Sequence, residues 1–550
     1  MPADLVLTNA NVYTVDAVRS RAEAIAIADG RIVAVGPAAE IKTLVGPDTQ
    51  VVDVGRRLVL PGFIDAHMHT SQSCQPLFAA WLNGLTTVDE CLETVARFAA
   101  EHPELPVIRG FGWANDIAPT ERLLAAELDA IVPDRPVVLF DDGYHLGWVN
   151  TAALRLAGID STSPDPDNGI IERLPSGEPS GMLVEGPAFI LDRQLTFSAE
   201  QVVDGLFHFQ KTLAGPLGMT TVHDSSAHLA NRDADAYAEF YGSGRAAFRS
   251  AVSWWIFEDQ PLDEQIAAAV AARDRIAGPL LQARTAKFFA DGVFEGHSGY
   301  LSEPYSDRPG YTGAPVWRPE KLCAAATAAA QAGLQLHFHA IGDAAVTLAL
   351  DAVEAARRGA GNGAVARPLI THLQLVDPAD VERMAALGVV AVMQPYWFDG
   401  MAAMTKYYES LLGPERLERQ YPMKSFWDHG IVVASASDYP VSPPPDPLIA
   451  IRKGVLRTVL PTGDPSDAFS PEERVTVEQM IESFTINGAY ANFLEDETGS
   501  IEVGKAADVV VLSRDILSCP PEEITEAEVE LTVFGGRPVY AAGAFASLAS

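Results

Sequence analysis

The middle of the chain repeats one pattern, an apolar run followed by an Ala-rich stretch of helical character, and this repeat limits the possible folds most. Leu334-Gln-Leu-His-Phe-His precedes Asp343-Ala-Ala-Val-Thr-Leu-Ala-Leu, and Pro368-Leu-Ile-Thr-His precedes Pro378-Ala-Asp-Val-Glu-Arg-Met. Gly388-Val-Val-Ala-Val-Met then leads on towards Ile431-Val-Val-Ala-Ser-Ala-Ser-Asp. Strand-then-helix units place parallel strands under covering helices, as a closed barrel or an open sheet. In a barrel, chemistry gathers at the carboxyl ends of the strands. A Pro- and Gly-rich region from about 70 to 217 breaks the rhythm and is expected to be a long insertion after the first barrel strand.

Both ends of the chain have a different texture. Leu5-Val-Leu, Asn11-Val-Tyr-Thr-Val and Ala24-Ile-Ala-Ile-Ala, with a turn at Asp29-Gly30, suggest short strands joined by tight turns. Asp508-Val-Val-Val-Leu and Glu528-Val-Glu-Leu-Thr-Val-Phe suggest the same near the other end. Edge strands need partners, so residues 1–58 and 495–550 are expected to form one composite β-sandwich, with 59–494 forming the barrel and its insertion. A net charge of −34 disfavours nucleic acid and anionic lipid as partners, while 48% hydrophobic residues suffice for large cores. The start of the chain has no basic, apolar leader pattern and no run of about 20 apolar residues occurs, so a cytoplasmic location is expected. Cys74, Cys91, Cys323 and Cys519 show no paired spacing and are expected to be small buried hydrophobes.

His67-Met-His69 closes the run Leu58-Val-Leu-Pro-Gly-Phe-Ile-Asp-Ala. Residues two apart on a strand share a face, so both imidazoles can reach one ion. An isolated HxH is weak, since two histidines on a wet strand face would look the same. The remaining candidates strengthen it: His339, His372 and Asp438 each end a predicted strand. Four strand ends then converge on a donor set suited to zinc or a similar divalent ion.

The sequence resembles the amidohydrolase superfamily, in the YtcJ-like branch that includes N-substituted formamide deformylase. The resemblance runs through Leu60-Pro-Gly-Phe-Ile-Asp-Ala-His-Met-His, Gly143-Tyr-His-Leu-Gly-Trp-Val-Asn, Gly218-Met-Thr-Thr-Val-His-Asp, Lys287-Phe-Phe-Ala-Asp-Gly, His339-Ala-Ile-Gly-Asp, Ser437-Asp-Tyr-Pro-Val and Gly504-Lys-Ala-Ala-Asp-Val. It implies an α/β protein with a TIM-like (β/α)8 barrel. It also implies His67, His69, His339, His372 and Asp438 as ligands of one or two divalent ions, zinc being the expected metal. Lys287 matches a fourth-strand lysine that carries a CO2-derived carbamate in relatives; the alternative is an ordinary ammonium near Asp291. His337 lies outside the motif and is read as packing or as support for the ligands. Thr371 stands where relatives commonly have Glu, Ala436 where many have Gly, and Val293-Phe-Glu-Gly-His297 replaces a Ser- and Thr-rich loop.

The resemblance implies metal-dependent hydrolysis of a C–N bond in a small amide, formamide or cyclic amide. A metal-activated hydroxide would attack the carbonyl, and Asp438 would carry its proton to the departing amine. His145, His297, Trp113 and Tyr396, with Trp397, are expected to contact the small-molecule substrate. A cyclase or dehydratase that closes a heterocycle is the alternative, since both directions share a tetrahedral intermediate. A non-catalytic binding protein ranks last, because no ligand position is missing. A homodimer is the default oligomer.

Overall fold

The computed structural model describes residues 2–114, 117, 123–166, 169–194, 196–229, 233–361, 363, 365–399, 405–442, 444–460 and 468–548, excepting the side chains of 189, 192 and 194. Its centre is a parallel eight-stranded sheet whose strands neighbour one another in chain order: β1 (Phe63–Met68), β2 (Met219–Ala227), β3 (Arg249–Trp255), β4 (Leu281–Phe289), β5 (Gln335–Ala340), β6 (Leu369–His372), β7 (Val390–Met393) and β8 (Val432–Ser435). Nearly every residue of these strands is buried, as expected for a sheet covered on both faces. The segment after β8 closes the ring onto β1, with Asp438 N–H donating to the His67 carbonyl at 2.8 Å and His69 N–H to the Tyr439 carbonyl at 2.8 Å. The buried Asp65 carboxylate reinforces this seam by accepting from the Ser437 N–H at 3.0 Å and the His67 N–H at 3.1 Å. A TIM-like barrel, and not an open sheet, is therefore formed.

Small residues set how closely the outer helices pack. Asp343–Ala360 buries Ala345, Ala349, Ala352 and Ala356 at helical spacing, facing Ala325, Ala326, Ala329 and Ala330 of Pro319–Gln331. Gly342, before the first of these helices, is required by close approach: a Cβ there would clash with the backbone of Tyr300.

The two chain ends meet in one six-stranded sheet, in which Val509–Leu512 pairs antiparallel with Leu58–Pro61. A four-stranded sheet from residues 5–53 packs against it around Leu7, Ile25, Val59, Val511 and Leu531. Arg249 at the start of β3 ties the barrel to this layer through a buried ion pair with Asp508 and stacks over Phe534. Between β1 and β2 the chain builds its own six-stranded sheet, ordered Gly169–Arg173, Pro179–Glu185, Leu146–Val149, Val137–Asp141, Ile108–Trp113 and Ala80–Trp81. Cys74 and Cys91 are buried, whereas Cys323 and Cys519 are only half-buried, so the expectation of four buried thiols holds for two. Among the described residues no helix is long and apolar enough to cross a membrane.

Candidate metal centre

The carboxyl ends of β1 and β8 bring three donors together. His67 Nε2 lies 3.2 Å and His69 Nε2 2.9 Å from Asp438 Oδ1, and the three donor atoms fall within 4.8 Å of one another. Each nitrogen opposite the cluster is anchored. His67 Nδ1 meets His337 Nε2 at 3.2 Å, and His69 Nδ1 meets Ser226 Oγ, from the end of β2, at 2.7 Å. His372 Nδ1 meets Gln394 Oε1 at 3.1 Å, which leaves its Nε2 free of that contact. Histidines that bind metals are held in this way, because the outer hydrogen bond fixes ring orientation and tautomer.

His339 and His372 adjoin the three donors through their rings. The His339 and His372 centroids are 4.5 Å apart, and those of His67 and His372 are 5.2 Å apart. Trp397 stacks on His372 at 5.4 Å, while Phe289 stacks on His339 at 4.9 Å. His339 directs Nε2 at the Gly292 carbonyl, 3.2 Å away. His372 and Asp438 both take positive φ, 76° and 61°, where the chain turns off its strand and presents the side chain to the centre.

Burial governs the charges. It drives the pKa values of His67, His337 and His339 well below the ordinary imidazole value and that of His372 to about 3, so these rings are neutral at pH 7. Burial also lowers the fully buried Lys287 amine far below the ordinary lysine value. Lys287 Nζ lies 3.4 Å from His337 Nε2, not against Asp291. The Asp291 carboxylate instead accepts the N–H groups of Tyr300, Ile341 and Gly342 at 2.9, 3.0 and 2.9 Å, joining the loops after β4 and β5. Burial raises the Asp438 carboxyl, but the His69 hydrogen bond together with the charge interactions of His372, His69 and Lys287 outweighs it and holds the group below the usual carboxylate value.

The insertion contributes His145. Its ring centroid lies 5.8 Å from that of His339, and its Nδ1 pairs with Glu185 Oε2 at 2.9 Å. Burial opposes charging this ring, yet the Glu185 charge and hydrogen bond dominate and push its pKa up to about 9. Ser298, after β4, donates to the other Glu185 oxygen at 2.5 Å, fastening the insertion to the barrel mouth. At Ser226, the partner of His69, a cleft opens between insertion and barrel, with Arg109, Tyr144 and Phe197 on the insertion side.

The other anticipated substrate contacts are placed differently. Trp113 is buried in the core of the insertion and donates from Nε1 to the Leu139 carbonyl at 3.1 Å. His297 turns to Asp307, 2.9 Å away, and packs on Tyr305. Tyr396 is buried in the barrel core, where its hydroxyl meets no hydrogen-bond partner among the described residues. Glu185, Ser226, Ser253 and His223 escape a sequence reading. Only His223, inside Thr-Thr-Val-His-Asp in the middle of β2, carried a visible signal.

A parallel eight-stranded barrel with imidazoles and a carboxylate meeting at its carboxyl rim defines the hydrolase class built on this fold. The chain belongs to the amidohydrolase family, whose pattern matches residues 50–540, and it is a hydrolase. It is 32% identical to N-substituted formamide deformylase of Arthrobacter pascens, covering 97% of both chains. It is also 32% identical to protein LONG AFTER FAR-RED 3 of Arabidopsis thaliana, covering 98% of this chain and 92% of that one. Among solved structures, an uncharacterized metal-dependent hydrolase from Pyrococcus horikoshii OT3 superposes with a TM-score of 0.74 at 22% identity, covering 94% of this chain and 99% of that one.

Proposed function

We propose that this chain hydrolyses a C–N bond of a small amide, formamide or cyclic amide at the rim of β1 and β8. The observation that carries the reading is the meeting of His67 Nε2, His69 Nε2 and Asp438 Oδ1, with both imidazoles backed by a second hydrogen bond. Two anchored imidazole nitrogens and a carboxylate oxygen fit a divalent cation of the zinc type. His339 and His372 extend the donor set. Lys287, a buried amine, is the group able to take up CO2 as a carbamate and so add an anionic donor. When bound, the cation supplies Lewis-acid polarisation and makes water acidic enough to react at neutral pH. Asp438 accepts the proton of the attacking water and returns it to the departing nitrogen. His145, held protonated by Glu185, faces the rim as a hydrogen-bond donor for the substrate's polar end. Arg109, Tyr144 and Phe197 line the approach and suit a ligand with a flat apolar part.

The test combines metal analysis of purified protein with a screen of amides, formamides, lactams and esters read by mass spectrometry. Products that gain one water, and activity lost to a chelator and regained with zinc, are expected. A dehydrated product would turn the assignment to cyclisation, and full activity in metal-free protein would overturn it. Asp438→Asn should lower kcat by roughly 10²–10⁴-fold; full activity would remove Asp438 from its role.

A further inference from the structure

Beneath the rim, His67 is the first member of a buried row of polar groups. Its Nδ1 lies 3.2 Å from His337 Nε2, His337 Nδ1 lies 3.0 Å from Ser253 Oγ, and Ser253 Oγ lies 2.7 Å from His223 Nε2. The four side chains come from β1, β5, β3 and β2 and are at most 1% exposed. At the far end of the row, His223 Nδ1 and Asn492 Oδ1 are both buried and neither meets a partner at normal hydrogen-bond geometry among the described residues, which leaves each as the complement available to the other. The Asn492 side chain favours the charged His223 ring, as an acceptor would.

One end of this row fixes its direction. Asn492 Nδ2 donates to the Gly488 carbonyl at 2.9 Å. That carbonyl can only accept, so a flipped carboxamide would set two oxygens against each other, and Asn492 must therefore offer its oxygen to His223. His223 then carries its proton on Nδ1 and accepts at Nε2 from the Ser253 hydroxyl. The Ser253 oxygen in turn accepts from His337 Nδ1–H, and His337 Nε2 is left to accept from His67 Nδ1–H. Lys287 Nζ, 3.4 Å from the same His337 nitrogen, approaches it as a second donor.

We infer that His337, Ser253 and His223 form a one-way hydrogen-bond chain that holds the His67 proton on Nδ1 and leaves its Nε2 lone pair aimed at the cation site. They are positioning residues, and the inference rests on the metal centre proposed above. A neutral imidazole has two tautomers, and only the one with a bare Nε2 can ligate at that atom. The chain selects it with no charged partner behind the ring, a role more often filled by a carboxylate or backbone carbonyl.

The experiment uses the full-length protein stripped of metal. Zinc is titrated in competition with a chromophoric chelator, and ¹⁵N-histidine NMR reads imidazole tautomers before zinc is added. His337→Ala should weaken zinc binding by about 10–100-fold. Ser253→Ala should weaken it less and convert His67 from a single Nδ1–H form to a tautomer mixture, and Ser253→Thr, which keeps the hydroxyl, should restore both readouts. Melting of the metal-free forms identifies a variant that is merely unfolded; should His337→Ala be one, the smaller Ser253→Ala change decides. Unchanged zinc affinity together with an unchanged His67 tautomer in Ser253→Ala overturns the inference. Failure of the wild-type protein to bind zinc refutes the proposed metal centre instead, and the tautomer measurement still decides the chain.

Discussion

Replacing Glu185 by Gln should uncouple the insertion from the barrel rim, and the size of the effect follows from one buried contact. His145 Nδ1 sits 2.9 Å from Glu185 Oε2, and that carboxylate, helped by Asp141 and Glu295, overcomes burial to raise the ring's pKa to about 9. Set against the ordinary value of 6.5, this corresponds to ~3 kcal/mol favouring the protonated ring in the folded protein. Because the folded pKa is the higher one, the stabilisation is fully present below pH 6.5 and is lost as the pH rises through about 9. In Glu185→Gln the opposing effect of burial prevails and His145 should titrate well below its wild-type midpoint. NMR pH titration of the histidine rings measures this directly, with wild-type His145 protonated at pH 7.5 and the variant ring largely neutral. Calorimetric melting of both proteins at pH 6 and pH 10 should show a difference of a few degrees at the lower pH that shrinks at the higher one. The wild-type-minus-variant difference removes the effect of Asp65, which burial pushes up to about 7, whereas Asp291, raised to about 7 by burial and further by the Glu185 charge, should titrate slightly lower in the variant. A variant whose His145 titrates as in the wild type would refute the reasoning.

Three further changes probe other joints. Arg249→Ala leaves the Asp508 carboxylate buried without its cation and should cost roughly 3–5 kcal/mol, seen as a lower melting temperature; an unchanged one would show that barrel and sandwich do not depend on this pair. Gly292→Ala pushes a methyl group into Glu185 and Ser298 and should destabilise the rim by about 1–3 kcal/mol, detectable as faster amide exchange in Pro179–Glu185. Trp397→Ala removes the ring stacked on His372 and should raise KM or lower kcat for a substrate found by the screen, with metal content retained; loss of metal instead would give Trp397 a role in holding His372.

The barrel was legible because its physics is local and repetitive. The run Val390–Met393 is apolar and buried on both faces and follows the helix Pro378–Ala386, and Val432–Ser435 repeats the order after the helix Met423–Asp428. The positions of His67, His69, His339, His372 and Asp438 could be anticipated for a related reason: parallel strands in a barrel end at one rim, so residues distant in sequence meet there without any pairwise signal. Trp113 and His297 show the limit. A tryptophan at the end of a strand has the same sequence signature whether its ring lines a pocket or, as here, fills the core of the insertion. His297 follows a strand that ends at the rim, and its partner Asp307 is set by the path of a loop.

The sequence by itself determined the fold class, the family and the rim on which the chemistry gathers, because strand periodicity and strand-end residues are properties of single segments. Only the tertiary structure decided which groups surround them: Glu185 raising His145, Ser226 behind His69, and the row from His67 through His337 and Ser253 to His223. Each of these depends on side-chain direction and on distances of about 3 Å between strands or between insertion and barrel. Ring closure and packing fix such distances, and neither is written in any one stretch of the chain.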